Sequence, residues 1–274
     1  MTTAAGEVTP QWLHLRGPAD ATARSRVLAG TVRRGLAPDT PIVVHDLGCG
    51  SGSMGRWLAP LLPGGQHWVL HDRDAAVLEI AEADPPVASG AVTVETRAGD
   101  ITGLRPEDLA GASLITASAL LDIMTAEELE RLVRLCVAAD CPSLLTLSVT
   151  GRVRLLPADP LDEVFGAAFN DHQRRSTAGR TLLGPDAARA AGRLFTTAGA
   201  RVEVDPSPWR LDGRSPALIE AWLVGWVGAA CEQRPELATA GGPYLERRRS
   251  DLENGRLAVT VHHVDLLARP RGAA

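Results

Sequence analysis

The segment Asp46-Leu-Gly48-Cys49-Gly50-Ser-Gly52-Ser-Met-Gly55 follows directly on the apolar, largely β-branched run Ile42-Val-Val44. A strand that ends in glycines and turns into a helix brings backbone against a ligand that a Cβ would hold away. Two registers fit. Gly50-x-Gly52-x-x-Gly55 matches the pattern that seats a dinucleotide pyrophosphate, but it leaves Leu47 to Cys49 as a spacer between strand and turn. Asp46-x-Gly48-x-Gly50-x-Gly52 starts the glycines at the strand end, with a carboxylate at its tip. An acid at that point repels a pyrophosphate and suits a cationic ligand. The second register is therefore preferred.

Further chemistry-bearing residues recur at strand ends. His71-Asp72-Arg73-Asp74 lies about two dozen residues beyond Gly48, where an acid meets ribose hydroxyls in open α/β folds. Asp72 takes that role, because Asp74 is better placed as the N-cap of the next helix. Gly99-Asp100-Ile101 and Thr116-Ala-Ser118-Ala-Leu-Leu-Asp122 each put a carboxylate after an apolar run. Asp122 is one candidate proton acceptor. His172 is another, because its ordinary pKa lies near neutrality. It sits in Asn170-Asp-His-Gln-Arg174-Arg175, ahead of Arg180. Asn170 and these three arginines are candidate substrate contacts, the arginines as clamps for a carboxylate or phosphate.

These residues need a scaffold that gathers strand ends. PIVVHDL, HWVLHD, AVTVET, SLITAS and PSLLTLSVTG read as five strands, separated by helical patterns. Strands alternating with helices imply a parallel, doubly wound sheet. Thr125 and Glu128 form a capping box that starts one of the helices. A helical segment opens the chain, and helices interrupt the region after residue 151. The expected organisation is one domain over residues 1–274. It comprises a helical cap to residue 40, a cofactor-binding core at 41–151, and lid helices with the last two strands at 152–274.

Composition narrows the chemistry. All 28 basic residues are arginine, which excludes a Schiff-base lysine, a phosphate-loop lysine and a kinase-type lysine. The net charge of −5 speaks against a broadly basic nucleic-acid surface. The four cysteines are scattered without CxxC spacing, which suits reduced thiols and a cytoplasmic setting. The N-terminal residues lack a basic start and an apolar stretch, so no secretory signal is expected. No apolar run reaches the ~20 residues of a membrane span. His262 and His263 are neighbours on a strand, so their rings face opposite sides and no metal site is expected. Trp222 and Trp226, four apart, suit a helical core face.

Taken in order, DLGCGSG, VLHDRD, AGDI and TASALLD resemble the class I S-adenosylmethionine (SAM)-dependent methyltransferases, over residues 41 to about 150. The resemblance implies a Rossmann-like sheet of seven strands whose last strand is antiparallel and inserted between the fifth and sixth. ARVEVDP and RLAVTVHHVDLLA would be the final two. It implies SAM as methyl donor and S-adenosylhomocysteine as product, with no metal. Its cofactor contacts map onto Asp46, Gly48, Cys49, Gly50, Gly52, Asp72, Arg73, Asp100, Ile101 and Ser118, with Asp100 toward the adenine amine and Ile101 against the ring. Arg16 or Arg24 would reach the methionyl carboxylate. The expected reaction is methyl transfer to an oxygen, nitrogen or carbon of a small molecule, by a monomer or homodimer. A SAM-binding protein without transfer, an RNA methyltransferase and an NAD-dependent oxidoreductase are the competing readings.

Overall fold

Strands and helices alternate from Ile42 onward in the computed structural model, which describes residues 9–37 and 40–271. Residues 1–8, on which the expectation about a secretory signal mainly rests, lie outside these. The N-terminal helical pattern resolves into two helices, α1 (Pro10–Ala23) and α2 (Arg26–Gly35), broken where the Ser25 side chain caps α2 by accepting from the Leu28 N–H. β1 (Ile42–Leu47) is followed by α3 (Ser53–Leu58), β2 (Gln66–Asp72) by α4 (Ala75–Ala83), and β3 (Val92–Ala98) by short 3-10 turns only. Next come β4 (Leu114–Ser118), α5 (Ala126–Ala138) and β5 (Ser143–Leu156). Both expected caps form. Asp74 accepts from the Ala76 N–H at 2.9 Å, and Thr125 and Glu128 satisfy each other's backbone N–H.

Beyond β5 lie α6 (Asp162–Gln173), a hairpin of β6 (Ser176–Thr177) and β7 (Arg180–Thr181), and α7 (Ala187–Thr197). β8 (Arg201–Pro206), β9 (Trp209–Leu211), α8 (Pro216–Gln233), α9 (Ala238–Glu253) and β10 (Ala258–Arg269) complete the described fold. The main sheet runs β3-β2-β1-β4-β5-β10-β8. The first five strands are parallel, and β10 is antiparallel to both neighbours. Strand β10 is thus the expected late strand inserted between the fifth and sixth.

The sheet has eight strands rather than seven. β5 and β10 both run on past the carboxyl edge, and the prolonged β10 recruits β9 through Val261↔Trp209, Thr260↔Arg210 and Val259↔Leu211. Two apolar layers sandwich the sheet, α2 to α4 on one face and α5 with α7 on the other. A third cluster sits above the edge, where Phe165, Trp222, Trp226 and Tyr244 pack against the inner face of the extension. Trp222 and Trp226 stack with ring centroids 5.1 Å apart, a core pair as their spacing predicts.

One buried acid joins the outer elements. Asp265, in the middle of β10, accepts from the Ser25 N–H at 2.7 Å, the Leu147 N–H at 2.8 Å and the Ser207 hydroxyl at 2.5 Å. Leu147 has φ +57° at a shift in the β5–β10 register, and its freed N–H is satisfied by this carboxylate. The α1–α2 junction, the β5 irregularity and the turn after β8 therefore share one anchor.

Candidate functional site at the carboxyl edge

The glycine turn leaves β1 with positive φ at Gly48 (66°), Gly50 (53°) and Gly52 (79°). A Cβ on Gly48 would stand 3.0 Å from Leu120, so only glycine lets the turn approach the segment after β4. Two strand-end acids flank the turn. Asp72 is partly exposed and accepts from the Gly50 N–H at 2.8 Å, which fixes the turn to the end of β2. Asp46 is wholly buried. Thr116 donates to one of its oxygens at 2.7 Å, and the other has no partner. Burial pushes its carboxyl up to about 6, a shift opposed by the Thr116 hydroxyl and by Arg24.

Arg24 leaves the end of α1 and enters the same space. It is 3% exposed and its guanidinium donates to the Ser53 carbonyl and hydroxyl and to the Ser118 hydroxyl. Its Nε has no partner, and its charge lies over Trp57 at 5.7 Å from the ring centroid. Burial lowers its pKa. An unpartnered acid oxygen and an unpartnered guanidinium N–H thus stand at one glycine turn. Buried polar groups are normally satisfied; other orphans occur among the described residues, Trp226 Nε1 and Arg248 Nε among them, but here an acid and a guanidinium stand together at one turn. A ligand carrying both a cationic and an anionic group matches the pair.

The remaining edge residues divide by exposure. Ser118 accepts from Arg24 and from Thr146, both at 3.0 Å. Asp100 is exposed and caps a 3-10 turn by accepting from the Thr102 N–H at 2.8 Å, a bond that lowers its pKa; Arg73 and Arg180 add to the shift. Ile101 is half-buried and Arg73 is exposed. Cys49 is buried in the turn, and burial raises its thiol pKa. Asp122 begins a 3-10 turn after β4, half-buried, and burial pushes its carboxyl up to about 6 against the favourable field of Arg16. Arg16 itself is tied to Asp20 at 2.8 Å and lies over Trp209.

The candidates of α6 lie among the helices, whereas Arg180 of the hairpin reaches back to the segment after β4, donating to the Ile123 carbonyl and acting on Asp100. Arg175 donates to His172 Nδ1 at 3.0 Å, and Glu232 on α8 faces His172 Nε2 at 3.2 Å. Guanidinium only donates, so Nδ1 is the accepting nitrogen and Nε2 carries the proton. Burial, then Arg175, lowers the His172 pKa. Asn170 donates to the Gly151 carbonyl, Arg174 pairs with Asp186 at 2.7 Å, and Arg180 pairs with Glu128 at 2.7 Å. The structure therefore gathers the cofactor candidates at one edge. It engages His172, Arg174 and Arg175 in contacts of the helical insert, ties Asn170 to β5, and holds Arg180 beside Ile123 and Glu128 at the edge. Of the two arginines expected near the methionyl carboxylate, the structure buries Arg24 at the turn and pairs Arg16 with Asp20.

No protein-family model matches the chain, and no curated protein matches it. Solved structures share its architecture. A Bacillus halodurans protein described as a "putative methyltransferase" aligns with TM-score 0.50 and 15% identity, covering 90% of this chain and 100% of that one. The YcgJ protein of Bacillus subtilis aligns with TM-score 0.50 and 14% identity over the same shares, 90% and 100%. The fold is that of the class I methyltransferases. A SAM-dependent methyltransferase from Thiobacillus denitrificans, solved with S-adenosylhomocysteine, is similar at TM-score 0.48 and 14% identity, over 97% of this chain and 100% of that one. In the class I arrangement the glycine turn after β1 and the ends of β2, β3 and β4 surround one crevice, at the topological switch point where ligands of open sheets bind.

Proposed function

We propose that the chain binds SAM at the carboxyl edge of its sheet and transfers the methyl group to an oxygen, nitrogen or carbon nucleophile of a small molecule. One observation carries the reading: the orphaned Asp46 oxygen and the orphaned Arg24 Nε at the glycine turn. A methionyl group bears an ammonium and a carboxylate, and the adjoining sulfonium adds a cation that the Asp46 and Asp72 carboxylates favour. When bound, SAM supplies an electrophilic methyl group. Everything else is the work of the chain. Arg24 holds the carboxylate, Asp46 the cationic side, and Asp72 fixes the turn through Gly50 while offering its second oxygen to ribose. Asp100 and Ile101 take the adenine edge and face.

Asp122 accepts the acceptor's proton. A carboxyl pKa near 6 leaves it ionised at neutral pH yet more basic than an exposed acid. His172 is the weaker base, because its free lone pair is already occupied by Arg175. Positioning supplies the remainder of the rate, since a nucleophile held in line converts encounter into a near-unimolecular step.

Calorimetric titration with SAM, S-adenosylhomocysteine and NAD tests the first half. Binding of the first two without NAD is expected; binding of NAD alone would overturn the reading. Methyl-labelled SAM incubated with cell extract tests the second half. Label is expected in the small-molecule fraction, whereas label confined to RNA, or no transfer at all, favours the competing readings.

A further inference from the structure

Above the carboxyl edge, β5, β9 and β10 continue as a three-stranded ribbon. Its inner face carries Val153, Leu155, Trp209, Leu211, Val259 and Val261 against the helices. Alternation along the strands then assigns Arg152, Arg154, Arg210, Thr260 and His262 to the outer face. Thr260 of β10 lies opposite Arg154 on one side and Arg210 on the other. With strands ~4.8 Å apart, these two arginines flank β10 at ~10 Å, and Arg152 follows ~7 Å along β5 from Arg154. All three are exposed, and among the described residues none makes an ion pair or a side-chain hydrogen bond. The nearby carboxylate of Asp212, next to Leu211 at the end of β9, is already engaged by Arg214.

This arrangement contributes nothing to the fold. The guanidiniums repel one another, and together with burial Arg152 and Arg210 lower the pKa of His262. Among the described residues Arg174, Arg180, Arg247 and Arg249 are paired elsewhere and others such as Arg33 and Arg193 stand unpaired singly, whereas here three unpaired arginines adjoin on one face. Three adjacent guanidinium forks on a flat face match carboxylates two donors at a time. The rim adds an apolar contact, with Leu156 45% exposed opposite Ala258. The outer face carries no Phe, Tyr or Trp on which a base would stack, His262 being its one ring. The chain as a whole has a net charge of −5, so a long polyanion meets repulsion beyond the patch, whereas a compact acidic surface does not.

We propose that the outer face of this ribbon is a docking surface for an acidic segment of a partner protein. The proposal is independent of the methyl-transfer reading. The test is fluorescence anisotropy with the full chain and a labelled 20-residue helical peptide rich in Glu and Leu. Its Gln counterpart, a 20-nucleotide single-stranded RNA and phosphatidylserine vesicles serve as alternative probes. The Glu peptide should bind, and binding should weaken at least tenfold between 50 and 300 mM salt, about two Debye regimes apart. The combined variant Arg152→Gln, Arg154→Gln, Arg210→Gln should lose at least tenfold in affinity while keeping its melting temperature and SAM affinity. The Gln peptide should bind neither protein. Equal binding by the variant, or none by the parent chain, would overturn the proposal. Tighter binding of RNA or vesicles that is lost in the variant would reassign the face to a nucleic acid or a membrane.

Discussion

The carboxyl edge and the helical insert after β5 are both rich in charged residues, yet they differ in how those charges are used. At α6 and the hairpin, His172, Arg174, Arg175 and Arg180 all have partners within the chain, in contacts that tie helix to helix. At the edge, Asp46 and Arg24 are more deeply buried, and each keeps one polar atom unpaired. Burial without satisfaction costs stability. Such a cost persists where a ligand repays it, whereas saturated polarity needs only the fold as its explanation. Unpaired buried atoms also occur in the insert, at Gln173 Oε1, Trp226 Nε1 and Arg248 Nε, so the distinguishing feature of the edge is an acid oxygen and a guanidinium N–H left unpaired beside the same glycine turn.

Changes at the edge should therefore damage function, and changes in the insert should not. The largest effect is expected from Asp122→Asn, with turnover falling roughly 10²–10⁴-fold and SAM affinity little changed, the range for loss of a general base. A turnover equal to that of the parent protein in steady-state assays would return the base role to His172. In the parent, turnover should rise with pH through about 6 as Asp122 ionises. Asp72→Ala comes next. It frees the Gly50 N–H and removes an acceptor for ribose, so SAM affinity measured by calorimetry should drop about a hundredfold, roughly 3 kcal/mol.

Arg24→Gln should weaken SAM about tenfold while leaving 5′-methylthioadenosine, which lacks the carboxylate, unaffected. Equal losses for both ligands would make Arg24 a brace. Asp46→Asn gives an opposite signature in stability. The native pKa of Asp46 is raised, so the unfolded chain binds fewer protons between pH ~4 and ~6, and stability is lost as pH rises through that window. A shift of about two units corresponds to ~3 kcal/mol, which the amide avoids. Chemical denaturation should find the variant more stable at pH 7, yet poorer at holding SAM. Last, His172→Ala should change turnover less than threefold. A larger fall would collapse the contrast between the two regions.

Much of this edge was legible in the residues. The glycine turn after β1 and the Asp74 cap rest on local spacing that survives in a single sequence, and the inserted antiparallel strand follows from the resemblance to the methyltransferases. The prolonged β5 was not read, although Gly151-Arg-Val-Arg-Leu155 alternates, because its partner β10 lies about a hundred residues away. The three residues of β9 carry too short a pattern to stand alone. Which arginines are buried was also invisible. Arg24 and Arg248 are the buried arginines among the described residues, and the break between α1 and α2 places Arg24 against Ser53 and Ser118.

The anchor at Asp265 has a consequence for the order of assembly. Its carboxylate holds Ser25, the neighbour of Arg24, and it arrives on β10, the last strand of the chain. That strand fills an interior position between β5 and β8. A nascent chain still lacking residues 258–269 has a gap in the sheet and an untethered helical junction. The edge beside the glycine turn, although built mostly from residues of β1 to β4, is thus tied through Ser25 to a strand more than two hundred residues further along.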